Sequence, residues 1–214
     1  MISLSGIAVH QGAFSLQSIA IEVPTGGYGV LMGKTGSGKT TLLEAICGLR
    51  RIAAGSVRLM GHDVTRLKPA ARNIGYVPQD IALFSTLSVR EHLAFALVVR
   101  RWSRAEICAR VDELAQLLGI GHLLERKPRG LSGGEAQRVA LGRAIAMYPD
   151  VLLFDEPLSS LDDDTRHEMY ELLLSIRKQM AVTVLHVTHS RDEAFRLGDC
   201  FFQLRDGRIH EIPR

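Results

Sequence analysis

The sequence predicts an α/β fold: a mostly parallel core sheet, an antiparallel N-terminal β part and an inserted helical lobe. Three observations predict it. Strand-like and helical segments alternate through much of the chain, which favours a parallel sheet with helices on both faces. Val151–Phe154 and Val182–Val187 are continuous apolar runs without alternation, the pattern of strands buried on both faces. The stretch Gly33-Lys-Thr-Gly-Ser-Gly-Lys-Thr-Thr41 sits between an apolar strand and a run of helix formers.

Taken in order, Gly6–Val9, Phe14–Gln17 and Ile19–Val23 read as short strands in antiparallel hairpins, and Pro24-Thr-Gly-Gly27 as a turn. Tyr28–Met32 is a strand. Leu42–Cys47 is a helix that Gly48 can stop. Gly55–Met60 and Ile74–Val77 are further strands. The character then changes. Val89, Leu93, Ala96 and Leu97 recur at helical spacing, and Ser103-Arg-Ala-Glu106 fits a capping box. The next helix places Ile107, Val111, Leu114, Leu117 and Leu118 on one face. Ser132 and Glu135 form another capping box, opening a helix that runs to about Met147. Beyond Val151–Phe154, Asp163–Gln179 is helical and Val182–Val187 a strand. Arg191–Leu197 is a short helix, and Phe201–Arg205 and Arg208–Ile212 pair across Asp206-Gly207.

Composition narrows the function classes. A net charge of +3 from 26 basic and 23 acidic residues is too small a bias to argue for nucleic acid. Cys47, Cys108 and Cys200 lie far apart and form no CxxC, so they read as core thiols, not bridges or metal ligands. No apolar run approaches the ~20 residues of a membrane span, so work on a membrane would need a partner.

The glycine-rich stretch carries the chemistry. It holds the G-x-x-x-x-G-K-[ST] pattern in a strand–loop–helix context. Such a loop aims several backbone N–H groups at one anion, and the helix dipole favours negative charge. Lys39 would reach the β- and γ-phosphates, and Thr40 would ligate Mg²⁺. Asp155 ends an apolar strand, where its carboxylate can hold Mg²⁺. Glu156 can polarise or deprotonate the water that attacks the γ-phosphate. His189 follows a buried strand of the same sheet, where it can donate to phosphate oxygens and hold Glu156. Gln79 follows Ile74–Val77 and can bridge Mg²⁺ and that water. Ser132-Gly133-Gly134 opens a helix, and two glycines there cost helix propensity. A phosphate close to the backbone would explain them, and a second anion site without its own lysine suggests completion in trans.

In order and spacing these stretches resemble the ATP-binding subunit of ABC transporters along essentially the whole chain. Gly33, Lys34, Thr35, Gly36, Ser37, Gly38, Lys39, Thr40 and Thr41 are similar to the Walker A loop, and Gln79 to the Q-loop glutamine. Leu131–Arg138 resembles the family signature, Val151–Glu156 Walker B, Ser160-Leu-Asp162 the D-loop, and His189 the switch histidine. The resemblance implies an ABC-type P-loop NTPase hydrolysing ATP with Mg²⁺. It further implies a head-to-tail dimer in which Ser132, Gly133, Gly134 and Asp162 serve the other copy's ATP. Three positions depart from the family pattern. Lys34 replaces a proline. His10, with Phe14 nearby, stands where an aromatic ring stacks on adenine. Gly142 replaces an alanine at ~1 kcal/mol of helix propensity.

The segments Tyr76–Asp80, Ala82–Phe84, Asp155–Ser160 and His186–His189 are most similar in look to molybdate or tungstate importers, with sulfate, polyamine and sugar importers as near relatives. That implies permease subunits, a substrate-binding protein as a further partner, and a peripheral place on the cytoplasmic face of the membrane. An exporter, a membrane-remodelling complex or a regulatory subunit without turnover would use the same nucleotide site. The expected division is 1–86 with 148–214 as the nucleotide-binding core and 87–147 as the helical signature part. No C-terminal regulatory domain is expected after the Asp206-Gly207 hairpin. Ala82, Leu83, Phe84 and Leu87 form an apolar cluster that either packs the lobe onto the core or docks a permease helix.

Overall fold

The computed structural model describes residues 1–12 and 14–212. Two sheets organise them. The first pairs β2 (Phe14–Val23), β1 (Ile2–Gln11), β4 (Ala54–Leu59) and β5 (His62–Asp63), all antiparallel. The second has the order β10-β9-β3-β8-β7-β6, built from β3 (Tyr28–Met32), β6 (Ile74–Val77), β7 (Val151–Asp155), β8 (Thr183–Thr188), β9 (Cys200–Arg205) and β10 (Arg208–Ile212). Its five strands from β6 to β9 run parallel, and only β10 turns back. This is the predicted α/β architecture with its antiparallel N-terminal sheet and inserted helices.

Every residue of β3, β7 and β8 is buried, because apolar layers cover both faces of the larger sheet. Side-chain alternation sorts them. Tyr28, Val30, Leu152, Phe154 and Val184 face a layer of α4 (Gly133–Ile145), α5 (Asp163–Met180) and α6 (Arg191–Leu197). Leu31, Val151, Leu153, Leu185 and Val187 face α1 (Lys39–Cys47) and the antiparallel sheet. Between β6 and β7 the chain builds α2 (Val89–Val99), α3 (Arg104–Leu117) and α4. Ser88, Ser103 and Ser132 each cap their helix through a reciprocal capping box. Gly142 lies where α4 meets α2. A Cβ there would sit 2.4 Å from Leu93 Cδ2 and 2.6 Å from Leu118 Cδ1, so the propensity cost is offset by close packing.

Parallel strands end at one edge of their sheet. Register places Met32 beside Thr188, Asp155 beside Val187 and Val77 beside Phe154. The loops that follow carry Gly33–Gly38, His189, Glu156 and Gln79. Ligands of open α/β sheets lie outside these carboxyl ends. No helix of the described residues is long and apolar enough to cross a membrane.

Candidate functional site

α1 differs from the other α-helices. Those all have a side-chain N-cap and an acid in the first turn, whereas α1 has neither among its described contacts. Its N-cap is Gly38 at φ 101°, a left-handed conformation that costs glycine little. A Cβ at Gly38 would also lie 2.3 Å from the Phe14 ring. The orphan N–H groups of α1 are therefore left for an anion, with the positive end of the helix dipole behind them.

Lys39 is 5% exposed and folds back over its own loop. Its ammonium donates to the carbonyls of Gly33 and Lys34 at 3.0 and 3.1 Å, and sits 3.5 Å from Glu156 Oε1. Glu156 Oε2 lies 2.9 Å from His189 Nδ1. An ionised carboxylate only accepts, so Nδ1 carries the proton of that bond. Glu156 itself stands at φ 48°, a left-handed value that is uncommon for a residue with a side chain. Its backbone N–H donates to Val187 O at 2.9 Å, which ties the acid to the end of β8.

Phe14, Thr35, Gly36, Gly38, Lys39, Thr40, Thr41, Gln79 and Glu156 line a cavity of about 370 Å³. Across the loop, Phe14, Gly33, Lys34 and Ser37 line a second one with the β9–β10 turn. Ser37 Oγ is buried and has no hydrogen-bond partner among the described residues. Asp155 is 2% exposed. Burial pushes its carboxyl above the ordinary range, the Thr40 hydrogen bond opposes that, and the charge of Glu156 reinforces it. A buried carboxylate, a hydroxyl and the Gln79 amide oxygen are hard oxygen donors of the kind Mg²⁺ takes, and a cation would relieve the buried charge.

That strained carboxylate gives a stability test. A raised native pKa means ionised Asp155 costs native-state stability at neutral pH, and the cost disappears as falling pH protonates it. Asp155→Asn, melted in EDTA, is expected to gain roughly 2–4 °C at pH 8. The gain should shrink as pH falls through the native pKa of Asp155 and vanish below the ordinary carboxylate range. A gain independent of pH would show that charge burial is not its cause.

The remaining sequence-derived positions separate. His10 is exposed on β1 and lines neither cavity, whereas Phe14 lines both. The signal for Phe14 was the β1–β2 hairpin, which pairs His10 with Ser15 and so brings the start of β2 beside the loop. Ser132, Gly133 and Gly134 line neither cavity. Gly133 is exposed, while Gly134 is buried, and a Cβ there would meet Thr165 Cγ2 at 2.5 Å. The second glycine thus has a packing reason. Asp162 caps α5, accepting from the Thr165 N–H at 3.0 Å and its hydroxyl at 2.8 Å. Thr165 joins Asp162 to the start of α4.

The profile of the family described as ABC transporter matches residues 16–159. The chain belongs to that family. The molybdate/tungstate import ATP-binding protein WtpC of Thermococcus kodakarensis is 42% identical over 99% of the chain. The sulfate/thiosulfate import ATP-binding protein CysA of Nocardia farcinica is 40% identical over 99%. The chain spans 64% of the length of each of these relatives. Among solved structures, the dimeric MJ0796, a bacterial ABC transporter cassette, superimposes over 100% of both chains, with a TM-score of 0.86 and 28% identity. A second structure of that cassette, also dimeric, holds ADP and Pi. An ABC cassette accounts for the two-sheet core and the helices between β6 and β7.

Proposed function

We propose that the chain hydrolyses ATP as the motor subunit of a membrane importer, working as a head-to-tail pair of copies. The observation that carries this reading is the convergence, at one sheet edge, of an uncapped helix start, a buried ammonium and an acid held by a histidine. Lys39 and the N–H groups of Gly36–Thr41 hold the phosphates. Thr40, Asp155 and Gln79 would hold Mg²⁺, whose charge stabilises phosphate oxygens. Glu156 orients the attacking water and takes its proton, while His189 keeps Oε2 in place and leaves Oε1 toward Lys39 and the cavity. Phe14 supplies an apolar wall beside the nucleotide, with His10 next along the hairpin. Mg²⁺-dependent phosphate release by the purified chain tests the activity. A rate no higher than that of Lys39→Ala would reject it.

In the same reading Ser132, Gly133, Gly134 and Asp162 meet the other copy's ATP. The dimeric cassettes of the same fold support this, and so does the absence of these residues from the chain's own cavity lining. Gly133 is the better probe, because a Cβ there makes only ordinary contact with Leu161 at 3.6 Å. In a Glu156→Gln background, Gly133→Asp should leave ATP affinity within about threefold and remove the ATP-dependent dimer, since like charges would meet across the interface. Equal dimerisation with and without Gly133→Asp, by light scattering, would reject the trans site.

The cargo suggested is molybdate, tungstate or a related oxyanion, chosen by a permease and a substrate-binding protein. The chain would sit peripherally on the cytoplasmic face. Permease contact is proposed around Phe84. There the chain sorts its apolar residues: Ile81 and Leu83 pack on the core, while Phe84 is 46% exposed. Arg143 of α4 donates to the carbonyls of Ile81 and Ala82, both at positive φ, and His92 Nε2 accepts from the Phe84 N–H at 2.9 Å. Phe95, Val98 and Val99 of α2 extend the exposed apolar surface. The division into a 1–86 plus 148–214 core and an 87–147 helical part belongs to this reading, with Arg143 bonding across it to Ile81 and Ala82.

A further inference from the structure

His189 is 60% exposed, and its one protein hydrogen bond among the described residues is to Glu156. Something else must hold the turn that carries it. Behind that turn lies a line of buried polar side chains that the hydrolytic reading does not use. Tyr28 and His186 are both 0% exposed, and the Tyr28 hydroxyl is 2.7 Å from His186 Nδ1. His186 Nε2 lies 3.0 Å from Glu193 Oε1, close enough for an ion pair but without hydrogen-bond geometry, and among the described residues neither atom has a hydrogen-bond partner. The Thr188 hydroxyl donates to Glu193 Oε2 at 2.7 Å and accepts from the Ser190 N–H at 3.0 Å. Ser190 Oγ in turn accepts from the Glu193 N–H at 3.3 Å.

We propose that Thr188, Glu193 and His186 are positioning residues for His189, forming a buried clamp that fixes the turn between β8 and α6. The inference rests on the hydrolytic reading of Glu156 and His189. Its chemistry closes on itself. An ionised Glu193 only accepts, so it takes the Thr188 hydroxyl proton on Oε2 while Oε1 faces His186 Nε2 at 3.0 Å. With the ring proton on Nε2, Nδ1 accepts from Tyr28. Burial and the nearby Glu193 charge push the Tyr28 hydroxyl well above the ordinary phenol range, so it keeps the proton it donates. Burial alone would raise Glu193, but the close approach of His186 and the Thr188 hydrogen bond outweigh it and hold the carboxyl below its ordinary range. Thr188 is the joint. One hydroxyl links the last residue of β8 to α6 and to the backbone on the far side of His189. The Glu156 N–H is held separately, by the Val187 carbonyl, a bond that does not involve the Thr188 hydroxyl.

Thr188→Val keeps the shape of the side chain and removes the hydroxyl, and Thr188→Ser restores it. Single-turnover ATP hydrolysis by the full chain, with Mg²⁺, reads the effect. Thr188→Val should slow the step about tenfold with ATP affinity unchanged, and Thr188→Ser should recover it to within roughly twofold. In a His189→Ala background, Thr188→Val should slow it by less than about twofold, because the residue it positions is gone. An equal loss in both backgrounds would show a general structural role and overturn the proposal, as would full activity of Thr188→Val alone. His189→Ala by itself separates the two layers: if it retains wild-type turnover, the role of His189 in hydrolysis fails, and the positioning claim falls with it. Glu193→Gln, which keeps shape and removes the charge, repeats the same cycle should Thr188→Val fail to fold, and the same outcomes decide it.

Discussion

Glu156→Gln is expected to stop turnover while leaving ATP bound. Glu156 touches two groups that explain both halves of this result. Oε2 meets His189 Nδ1 at 2.9 Å, and Oε1 faces Lys39 Nζ at 3.5 Å. Glutamine keeps the shape and can still accept from His189, so the loop after β7 should hold its path. What it loses is a basic oxygen. A positioned base contributes on the order of 10²–10⁴-fold, so kcat should fall by at least about a hundredfold. Binding should hold or tighten, because a carboxylate no longer faces the γ-phosphate and no longer competes for the Lys39 charge. With hydrolysis blocked, the ATP-bound pair should accumulate, visible by light scattering as a doubled mass that requires ATP and Mg²⁺. Wild-type turnover in this variant would remove Glu156 from the chemistry. Loss of ATP binding would place it in the phosphate site instead.

Much of this was legible because the chemistry sits at strand ends, and apolar runs announce those strands. Tyr28–Met32 and Ile74–Val77 were read to the residue, and the helical spacing of Val89, Leu93, Ala96 and Leu97 marks what is α2. The errors share one physical cause, which is structure supplied by neighbours. Polar and glycine residues near Ser5 and Gly6 seemed to break the first strands. In the sheet they are bulges within a continuous β1, where the register shifts between Leu4 and Ile7. Likewise Ser18, at φ 52°, interrupts nothing in β2. α1 starts at Lys39, not Leu42, since Lys39-Thr-Thr41 carries no apolar period and Gly38 is the cap. β8 is shifted by one, to Thr183–Thr188, after a left-handed Ala181.

The site divides in the same way. Contiguous motif residues were readable, whereas Gly134 and Gly142 needed Thr165, Leu93 and Leu118 to explain them. Sequence distance named His10 with Phe14 nearby for the nucleotide wall, and strand pairing brings Phe14, not His10, to the cavity lining. The Thr188–Glu193–His186 clamp was invisible for a related reason. Its members look like ordinary strand and helix residues until the fold buries them together.

Lys39→Ala is expected to cost more than a phosphate contact. The ammonium is 5% exposed and serves three partners at once: the carbonyls of Gly33 and Lys34, and Glu156. Removing it takes away the charge-assisted bonds to the phosphates, each stronger than a neutral hydrogen bond. An affinity loss of roughly a hundredfold, about 2.7 kcal/mol, follows from losing two such bonds in a partly desolvated cavity. It also strands Glu156, whose side chain is only 11% exposed, without its cation. An unpaired buried charge destabilises, so the melting temperature should fall as well. The two effects can be parted. Lys39→Met preserves the aliphatic stem but leaves Glu156 equally unpaired, so it should match Lys39→Ala in affinity and recover only packing. Adding Glu156→Gln to Lys39→Ala removes the stranded charge and should restore most of the melting loss without restoring ATP affinity. Calorimetry of MgATP binding and thermal melts of the three variants decide the matter. Undiminished affinity in Lys39→Ala would mean that the glycine-rich loop does not hold the phosphates. A melting loss untouched by Glu156→Gln would mean that Lys39 stabilises the fold through its loop carbonyls alone.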